Sequence, residues 1–240
     1  KKGGMMKKVV LFSVFLLFGL YSLYGMSVSD IVKEMNLRYN KIMERSNGIR
    51  ITQTIKSIMD DSEISSSQTI WKKDRKYRIE TISQMELEEE KTKNTILFDG
   101  NNIWFVSPFV GITMLPKDEP MLQGFFDDFT KLLPPNSIIT GDEKIDNEDC
   151  FVIETPDKAE VPLKRIWISK SRFIPLKATG MLKNELITLI FDDYKRIEGI
   201  WGIPYKTVTT LRDETICIST IEKVETGVEI PNELFDVKLR

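Results

Sequence analysis

The residue types that most often carry catalytic chemistry are scarce in this chain of 240 residues. It contains no histidine, the commonest general base and a frequent metal ligand. Ser–His and Cys–His catalytic groups are therefore excluded. The two cysteines, Cys150 and Cys217, are too far apart in sequence to form a cysteine-rich metal site by themselves. We expect a protein that is not an enzyme and that binds neither a metal nor a cofactor.

Three pairs of adjacent acids are the remaining groups with catalytic potential: Asp60-Asp61, Asp127-Asp128 and Asp192-Asp193. A carboxylate enzyme directs two carboxyl groups at one substrate, whereas adjacent residues of a strand point to opposite faces. We therefore interpret these pairs as turn and surface residues.

An apolar segment near the start of the chain predicts export. Lys7 and Lys8 precede an uninterrupted apolar run from Val9 to Tyr24, which is the pattern of a secretory signal peptide. A helix of this run spans about 24 Å, less than the roughly 30 Å of a bilayer core, so cleavage is favoured over a permanent span. We expect residues 1–26 to be the signal peptide and residues 27–240 to form one mature domain. Because the first cysteine is Cys150, no lipid anchor is expected.

The mature chain begins with a predicted helix and continues mostly as strands. Ser27 or Ser29 can cap a helix over residues 30–45, and apolar residues recur in it at helical spacing. Alternation from Ile49 onward predicts strands joined by short turns, which is typical of antiparallel neighbours. A second helix is predicted over residues 119–133. The predicted strands cover residues 49–56, 68–73, 76–83, 94–98, 102–106, 111–115, 150–154, 164–169, 174–181, 185–194, 205–211 and 215–223.

Several of these strands are apolar on both faces. Ile103 and Phe105 alternate with Trp104 and Val106, whereas a sheet with one solvated face would carry polar residues at every second position. The second face must be covered by helices or must enclose a cavity. We predict a mainly β fold with helices (α+β): a strongly curved antiparallel sheet forming an unclosed β-barrel, covered by an N-terminal helix and a central lid helix. A plain core is the alternative for any single one of these residues.

Four segments carry a family resemblance. The helix 30–45 with the strand Gly48-Ile49-Arg50-Ile51-Thr52-Gln53, the hairpin from Phe98 to Phe109, and the ending Ile230-Pro231-Asn232-Glu233-Leu234-Phe235 resemble the outer-membrane lipoprotein carrier and sorting proteins of the LolA type. The segment 193–205 is also similar to envelope proteins of this group. The resemblance covers nearly the whole mature chain, and the aromatic hairpin is its most specific part.

The resemblance implies a periplasmic carrier whose apolar cavity holds the acyl chains of lipoproteins, or another lipid, during sorting to the outer membrane. It also implies an inner-membrane releasing complex and an outer-membrane acceptor as partners, while the acidic balance of the chain does not favour nucleic acid. The alternative is an envelope sensor or regulatory module that uses the same fold to recognise a protein or lipid partner. The candidate lipid-binding residues of the cavity and lid are Trp71, Tyr77, Trp104, Phe105, Phe109, Phe125, Phe129 and Trp167.

Proteobacterial carriers of this family have an Arg followed by Pro on the strand before the aromatic hairpin, and that Arg latches the lid by hydrogen bonding. The corresponding stretch here, Trp71-Lys72-Lys73-Asp74-Arg75-Lys76-Tyr77, has no Arg-Pro. Lys73 and Arg75 are the candidate latch residues, although a lysine lacks the planar fork of arginine.

The cysteines leave two alternatives open. Export would place Cys150 and Cys217 where a disulfide can form, and both lie on predicted strands. Two free, buried thiols are the other possibility.

Overall fold

The structure is a computed structural model, and it describes residues 26–59, 62–84, 91–116, 133–134, 136–156, 163–182 and 185–237. Most of these residues form strands. One α-helix, α1 (Val28–Ser46), precedes them, and a 3₁₀ helix (Asn232–Phe235) follows them. The strands are β1 (Ile49–Met59), β2 (Ser62–Lys73), β3 (Lys76–Gln84), β4 (Thr92–Phe98), β5 (Ile103–Ser107), β6 (Gly111–Leu115), β7 (Ile138–Ile145), β8 (Glu148–Glu154), β9 (Leu163–Ser169), β10 (Pro175–Leu182), β11 (Glu185–Ile197), β12 (Ile200–Leu211) and β13 (Glu214–Thr226).

All thirteen strands belong to one antiparallel sheet with the order β6-β5-β4-β3-β2-β1-β13-β12-β11-β10-β9-β8-β7. Except for β6 and β7, consecutive strands pair with each other, and the long-range pairing of β1 with β13 joins the two halves. The sheet is not closed, since β6 and β7 stand at its two ends. The predicted mainly β, antiparallel and unclosed architecture is confirmed. Of the strands, β7 was not predicted.

Helix α1 is capped by its own residues. The backbone N–H of Asp30 donates to the Ser27 hydroxyl at 3.2 Å, and the Asp30 carboxylate accepts from the Ser27 backbone N–H at 3.1 Å. This reciprocal pair satisfies donors that the first turn would otherwise leave unpaired. Of the two predicted caps, Ser27 is therefore the one used.

The sheet curves around α1. Ile31, near the start of the helix, packs in one cluster with Ile153 of β8, and Ile42 packs in another with Ile79 of β3. These two helix residues are about 16 Å apart along the axis, whereas β3 and β8 are eight strand positions apart, about 38 Å along the sheet. A flat sheet could not bring both strands to one short helix. We call the face that α1 covers the inner face and the opposite one the outer face.

The end of the chain covers part of the outer face. Phe235 of the 3₁₀ helix and Ile230 are almost fully buried against Leu97, with Trp71 and Trp104 packed beside them. The chain end passes close to Gly48, whose φ of +130° favours glycine and whose added Cβ would lie 2.6 Å from the Val228 carbonyl oxygen. Both faces of this half of the sheet are therefore covered, as the sequence pattern predicted.

The second predicted cover, the helix over residues 119–133, lies outside the described residues except for Leu133, which is buried beside α1. The predicted signal peptide also lies outside them, apart from Met26.

The two cysteines are free. Cys150 on β8 and Cys217 on β13 are five strand positions apart in the sheet. Cys150 is buried in a cluster with Val152 and Trp167, whereas Cys217 lies opposite Ser57 of β1, so the two thiols have different surroundings and form no bridge in this structure.

Candidate functional site

The inner face of β1 to β5 carries two apolar rows that run across the strands. Successive pairings place the residues of each row side by side, so the rows form a continuous band under and beside α1. The first row contains Ile49, Lys72, Tyr77, Phe98 and Ile103, and the second contains Ile51, Ile70, Ile79, Ile96 and Phe105. The rings of Tyr77 and Phe98 pack at 5.5 Å. We call these ten residues the apolar band.

A small cavity separates α1 from the apolar band. Its volume is about 30 Å³, and it is lined by Tyr39, Ile42, Met43, Ile49, Ile51, Ile70, Lys72, Ile197 and Ile203. This volume is about that of one water molecule in the liquid, far less than an acyl chain needs. At this place α1 therefore lies closely on the band, an arrangement that we call the closed form, and a long apolar ligand could enter between them only if α1 moved away.

One buried polar contact connects α1 to the band. The Lys72 ammonium donates to the Tyr39 hydroxyl at 3.1 Å and lies 5.3 Å from the centre of the same ring. Lys72 is only 5% exposed, and a buried charge is costly unless it has partners. Lys72 is also the one charged residue of the apolar band. The contact between Lys72 and Tyr39 is therefore a candidate latch for α1.

Lys73, one of the two predicted latch residues, is the neighbour of Lys72 in β2. Lys73 points to the outer face, where its ammonium donates to the Ile230 carbonyl at 2.8 Å, and Arg75 is exposed in the turn after β2. Arg78 donates to the Leu234 carbonyl at 3.1 Å. Lys73 and Arg78 thus hold the end of the chain rather than α1. A contact of Lys73 or Arg75 with the predicted central lid would lie outside the described residues.

The aromatic candidates divide between the two faces. Tyr77 and Phe105 belong to the apolar band on the inner face. Trp71, Trp104 and Trp167 lie on the outer face, where the Trp104 indole donates to Asp99 at 2.9 Å and the Trp167 indole donates to Glu143 at 2.8 Å. Phe109 is 80% exposed at the tip of the hairpin between β5 and β6. Phe125 and Phe129 lie outside the described residues.

Next to the apolar band, the inner face carries a row of uncharged polar side chains. Gln53 on β1 donates from Nε2 to Gln68 Oε1 at 2.5 Å, and Gln68 Nε2 donates to the Thr81 hydroxyl at 3.0 Å. The Ser219 hydroxyl of β13 donates to Gln53 Oε1 at 3.2 Å. Asn94 on β4 is the register partner of Thr81 and extends the row. We call Ser219, Gln53, Gln68, Thr81 and Asn94 the amide row.

A strong electrostatic interaction joins the start of β8 to the turn that follows β9. Glu148 accepts from Arg172 Nε at 2.8 Å and from the Ser171 hydroxyl at 3.0 Å, and the Ser169 hydroxyl also donates to it. These hydrogen bonds, above all that from Arg172, lower the pKa of Glu148 to about 2. Glu148 is therefore ionised at neutral pH and engaged in a structural ion pair.

Burial raises the pKa of three further groups, none of which belongs to the apolar band. Burial raises the pKa of the Tyr194 hydroxyl, which donates to the Pro175 carbonyl. It also raises the pKa of the Cys150 and Cys217 thiols. Raised thiol pKa values make both cysteines poor nucleophiles. Among the residues that the structure describes, no three His, Cys, Asp or Glu side chains cluster closely enough to hold a metal ion.

Within the described ranges, no helix combines the length and apolar content that crossing a bilayer requires.

Comparisons with known proteins place this geometry in a known class of fold. A family model described only as an uncharacterised protein matches residues 133–239. A comparison with curated protein sequences finds no match. Among solved structures, a DUF1329 family protein from Desulfovibrio piger is 16% identical, with 85% of this chain and 97% of that chain aligned at a TM-score of 0.60.

A second solved structure is a domain from Vibrio parahaemolyticus described as an outer membrane lipoprotein-sorting protein. It is 14% identical, with 84% of this chain and 94% of that chain aligned at a TM-score of 0.61. Identities this low show a shared fold. The chain therefore has the fold of a lipoprotein-sorting domain, which confirms the fold that the sequence resemblance implied.

Proposed function

We propose that the inner face binds the acyl chain of a lipoprotein or another lipid, and that α1 is the movable cover of this site. The observation that carries the proposal is the apolar band, which spans five strands and has α1 packed over it. In the closed form the helix shields the band from water. In the loaded form an acyl chain would replace part of the helix.

The energetics favour such an exchange. Each methylene group removed from water contributes about 0.8 kcal/mol, so a long acyl chain gains several kcal/mol from the band. Undocking α1 exposes apolar side chains such as Ile31 and Ile42 at a comparable cost per unit of area. The two occupants therefore compete on similar terms, and small differences in affinity can drive loading and release. No covalent step is needed, which agrees with a non-enzymatic role for a chain without histidine.

In this proposal the protein is exported and acts in the periplasm. It takes its cargo from a releasing complex at the inner membrane and delivers it to an acceptor at the outer membrane. The apolar run from Val9 to Tyr24 supports export, and the description of the Vibrio parahaemolyticus domain supports a role in lipoprotein sorting.

Two neighbouring aromatic residues allow a matched test. Phe105 lies in the apolar band, whereas Trp104 packs on the outer face with Leu97. Burying a phenylalanine side chain contributes about 1.5–3 kcal/mol, of which a ligand would supply roughly half. Phe105→Ala should therefore weaken binding of a fluorescent acyl chain about tenfold. Trp104→Ala should lower the melting temperature and leave the affinity of the folded protein unchanged. Equal losses of affinity in both variants would contradict the proposed site.

The natural cargo can be identified by mass spectrometry of the protein purified from its own envelope. The carrier proposal predicts a co-purified acylated molecule that is lost in Phe105→Ala and retained in Trp104→Ala. Recovery of a partner protein with no lipid would instead favour the sensor alternative.

A further inference from the structure

We propose that the amide row forms hydrogen bonds with the polar linkage of the bound molecule. Through these bonds it selects an acyl chain joined through an amide over one joined through an ester. This inference rests on the function proposed above, because it concerns the same inner face. It adds the chemical class of the ligand, which the apolar band alone cannot determine.

The first argument is position. The amide row lies two residues along the strands from the row that ends in Phe105, which is about 7 Å. A chain in the apolar band would thus meet the amide row where its hydrocarbon ends. On the far side of the amide row the hydroxyl groups of Ser66 and Ser83 lie 2.8 Å apart, and their neighbour on β1 is Ile55. The inner face of β2 and β3 is therefore apolar within the band and neutral and polar in the next two rows.

The second argument is charge. In β1 to β5, the described residues on the inner face at and beyond the amide row are uncharged, and Lys72 lies two rows away within the band. A carboxylate or a phosphate would find no cation in this row to offset its desolvation. The row therefore suits a neutral linkage better than the ionised end of a free fatty acid.

The third argument is hydrogen-bond capacity. The Ser219, Gln53 and Gln68 side chains donate in one direction along the row, toward Thr81. At the end of the row, Asn94 Oδ1 is buried and has no hydrogen-bond partner among the described residues. A buried acceptor without a donor is unfavourable. An amide linkage supplies an N–H for Asn94 Oδ1 and a carbonyl for a glutamine N–H, whereas an ester supplies acceptors only.

The test uses two ligands that differ only in the linkage, N-methyl palmitamide and methyl palmitate, in competition with a fluorescent acyl chain on the full mature chain. Wild type should bind the amide about five- to tenfold more tightly than the ester. Asn94→Leu, which removes the acceptor at similar volume, should abolish that ratio. Thr92→Val, on the same strand and face one row further on, should preserve it.

The outcomes separate this inference from the function on which it rests. Equal affinity of wild type for both ligands would overturn the amide selection and leave acyl binding intact, and this comparison does not depend on whether a variant folds. Binding of neither ligand would overturn the proposed function itself. If Asn94→Leu weakens the binding of both ligands by the same factor, the ratio of amide to ester affinity stays unchanged. Asn94 would then have a purely structural role, and the inference would also be overturned.

Discussion

Removal of a single oxygen atom tests whether Lys72 and Tyr39 hold α1 closed. Tyr39→Phe keeps the aromatic ring that lies 5.3 Å from the Lys72 ammonium and deletes only the hydroxyl that accepts its hydrogen bond at 3.1 Å. In the closed form the buried ammonium then has one partner fewer. When α1 undocks, water hydrates Lys72 in both proteins. The substitution should therefore destabilise the closed form relative to the open one.

The expected size of the effect on the undocking of α1 follows from the type of hydrogen bond that is removed. A hydrogen bond to a charged group contributes about 1.5–3 kcal/mol, which corresponds to a roughly 10- to 100-fold larger population of undocked helix. Hydrogen exchange measured by mass spectrometry should show this as faster exchange of the amides of α1, residues 28–46. Peptides from β8 and β9 should show a much smaller change, because their strand hydrogen bonds do not involve the helix. Uptake of an acyl probe should accelerate by a similar factor if undocking limits it.

Two further variants make the interpretation specific. Tyr205→Phe removes a hydroxyl from another tyrosine, whose ring packs under the Lys195 ammonium at 4.1 Å, and it should leave the exchange of α1 unchanged. Lys72→Met in the Tyr39→Phe background removes the charge that has lost this hydrogen bond and should restore much of the protection, since an apolar residue of similar volume replaces a buried ion at little cost. Unchanged exchange of α1 in Tyr39→Phe would refute the latch, as would a double variant no better protected than the single one.

Two predictions concern the parts of the fold that hold the site in shape. Gly48→Ala should destabilise the protein by about 1–3 kcal/mol, seen as a lower denaturation midpoint, because of its positive φ and the Cβ 2.6 Å from the Val228 carbonyl; a midpoint equal to wild type would contradict this. Because the pKa of Glu148 falls from 4.5 to about 2 on folding, its stabilisation is complete above about pH 4.5 and is lost as the pH falls toward 2. In Glu148→Gln the part of the unfolding free energy that depends on pH should be smaller by about 1–2 kcal/mol, a figure reduced because Glu148 is partly exposed. Identical acid unfolding curves for variant and wild type would contradict this.

The sequence was sufficient for most strands but not for the face on which each side chain lies. Local alternation and turns indicate where a strand lies. Which of its two sets of side chains points to the inner face depends on how α1 packs on the sheet. Shifting an assignment by one residue reverses the face. Lys72 and its neighbour Lys73 accordingly serve opposite faces: Lys72 contacts α1, and Lys73 contacts the end of the chain. Strand β7 was not predicted because its residues 141–144 are Gly, Asp, Glu and Lys, which hide the alternation.

The three tryptophans were candidates for the ligand site because they lie on strands that are apolar on both faces or next to the aromatic hairpin. Their indole N–H groups each need an acceptor when buried, and the outer face supplies Asp99 to Trp104 and Glu143 to Trp167. For Trp104 the signal was present in the sequence, since Asp99 belongs to the turn of the same hairpin. For Trp167 the acceptor comes from β7, which was not predicted.

The amide row could have been predicted from hairpin registers. In the first hairpin, Met59 at the end of β1 pairs with Ser62 at the start of β2. This register places Gln53 opposite Gln68. The pair of Lys73 with Lys76 in the next hairpin brings Gln68 opposite Thr81 in the same way. The contribution of Ser219 could not have been predicted, because no local pattern indicates that β13 pairs with β1.

The contacts of α1 suggest how the cover could open without unfolding. At its C-terminal end the Ser46 carbonyl accepts from the Gly227 backbone N–H at 2.5 Å, and Arg45 donates to the Glu198 carbonyl at 3.1 Å, so this end is bonded to the backbone of the sheet. At the N-terminal end, Ser27 and Asp30 cap each other within the helix, and that cap survives when the helix leaves the sheet. The helix can therefore pivot about its C-terminal end while its first turn stays satisfied. In such a motion the Lys72–Tyr39 contact breaks after the apolar contacts of the N-terminal half and before those of Ile42, which lies nearer the pivot.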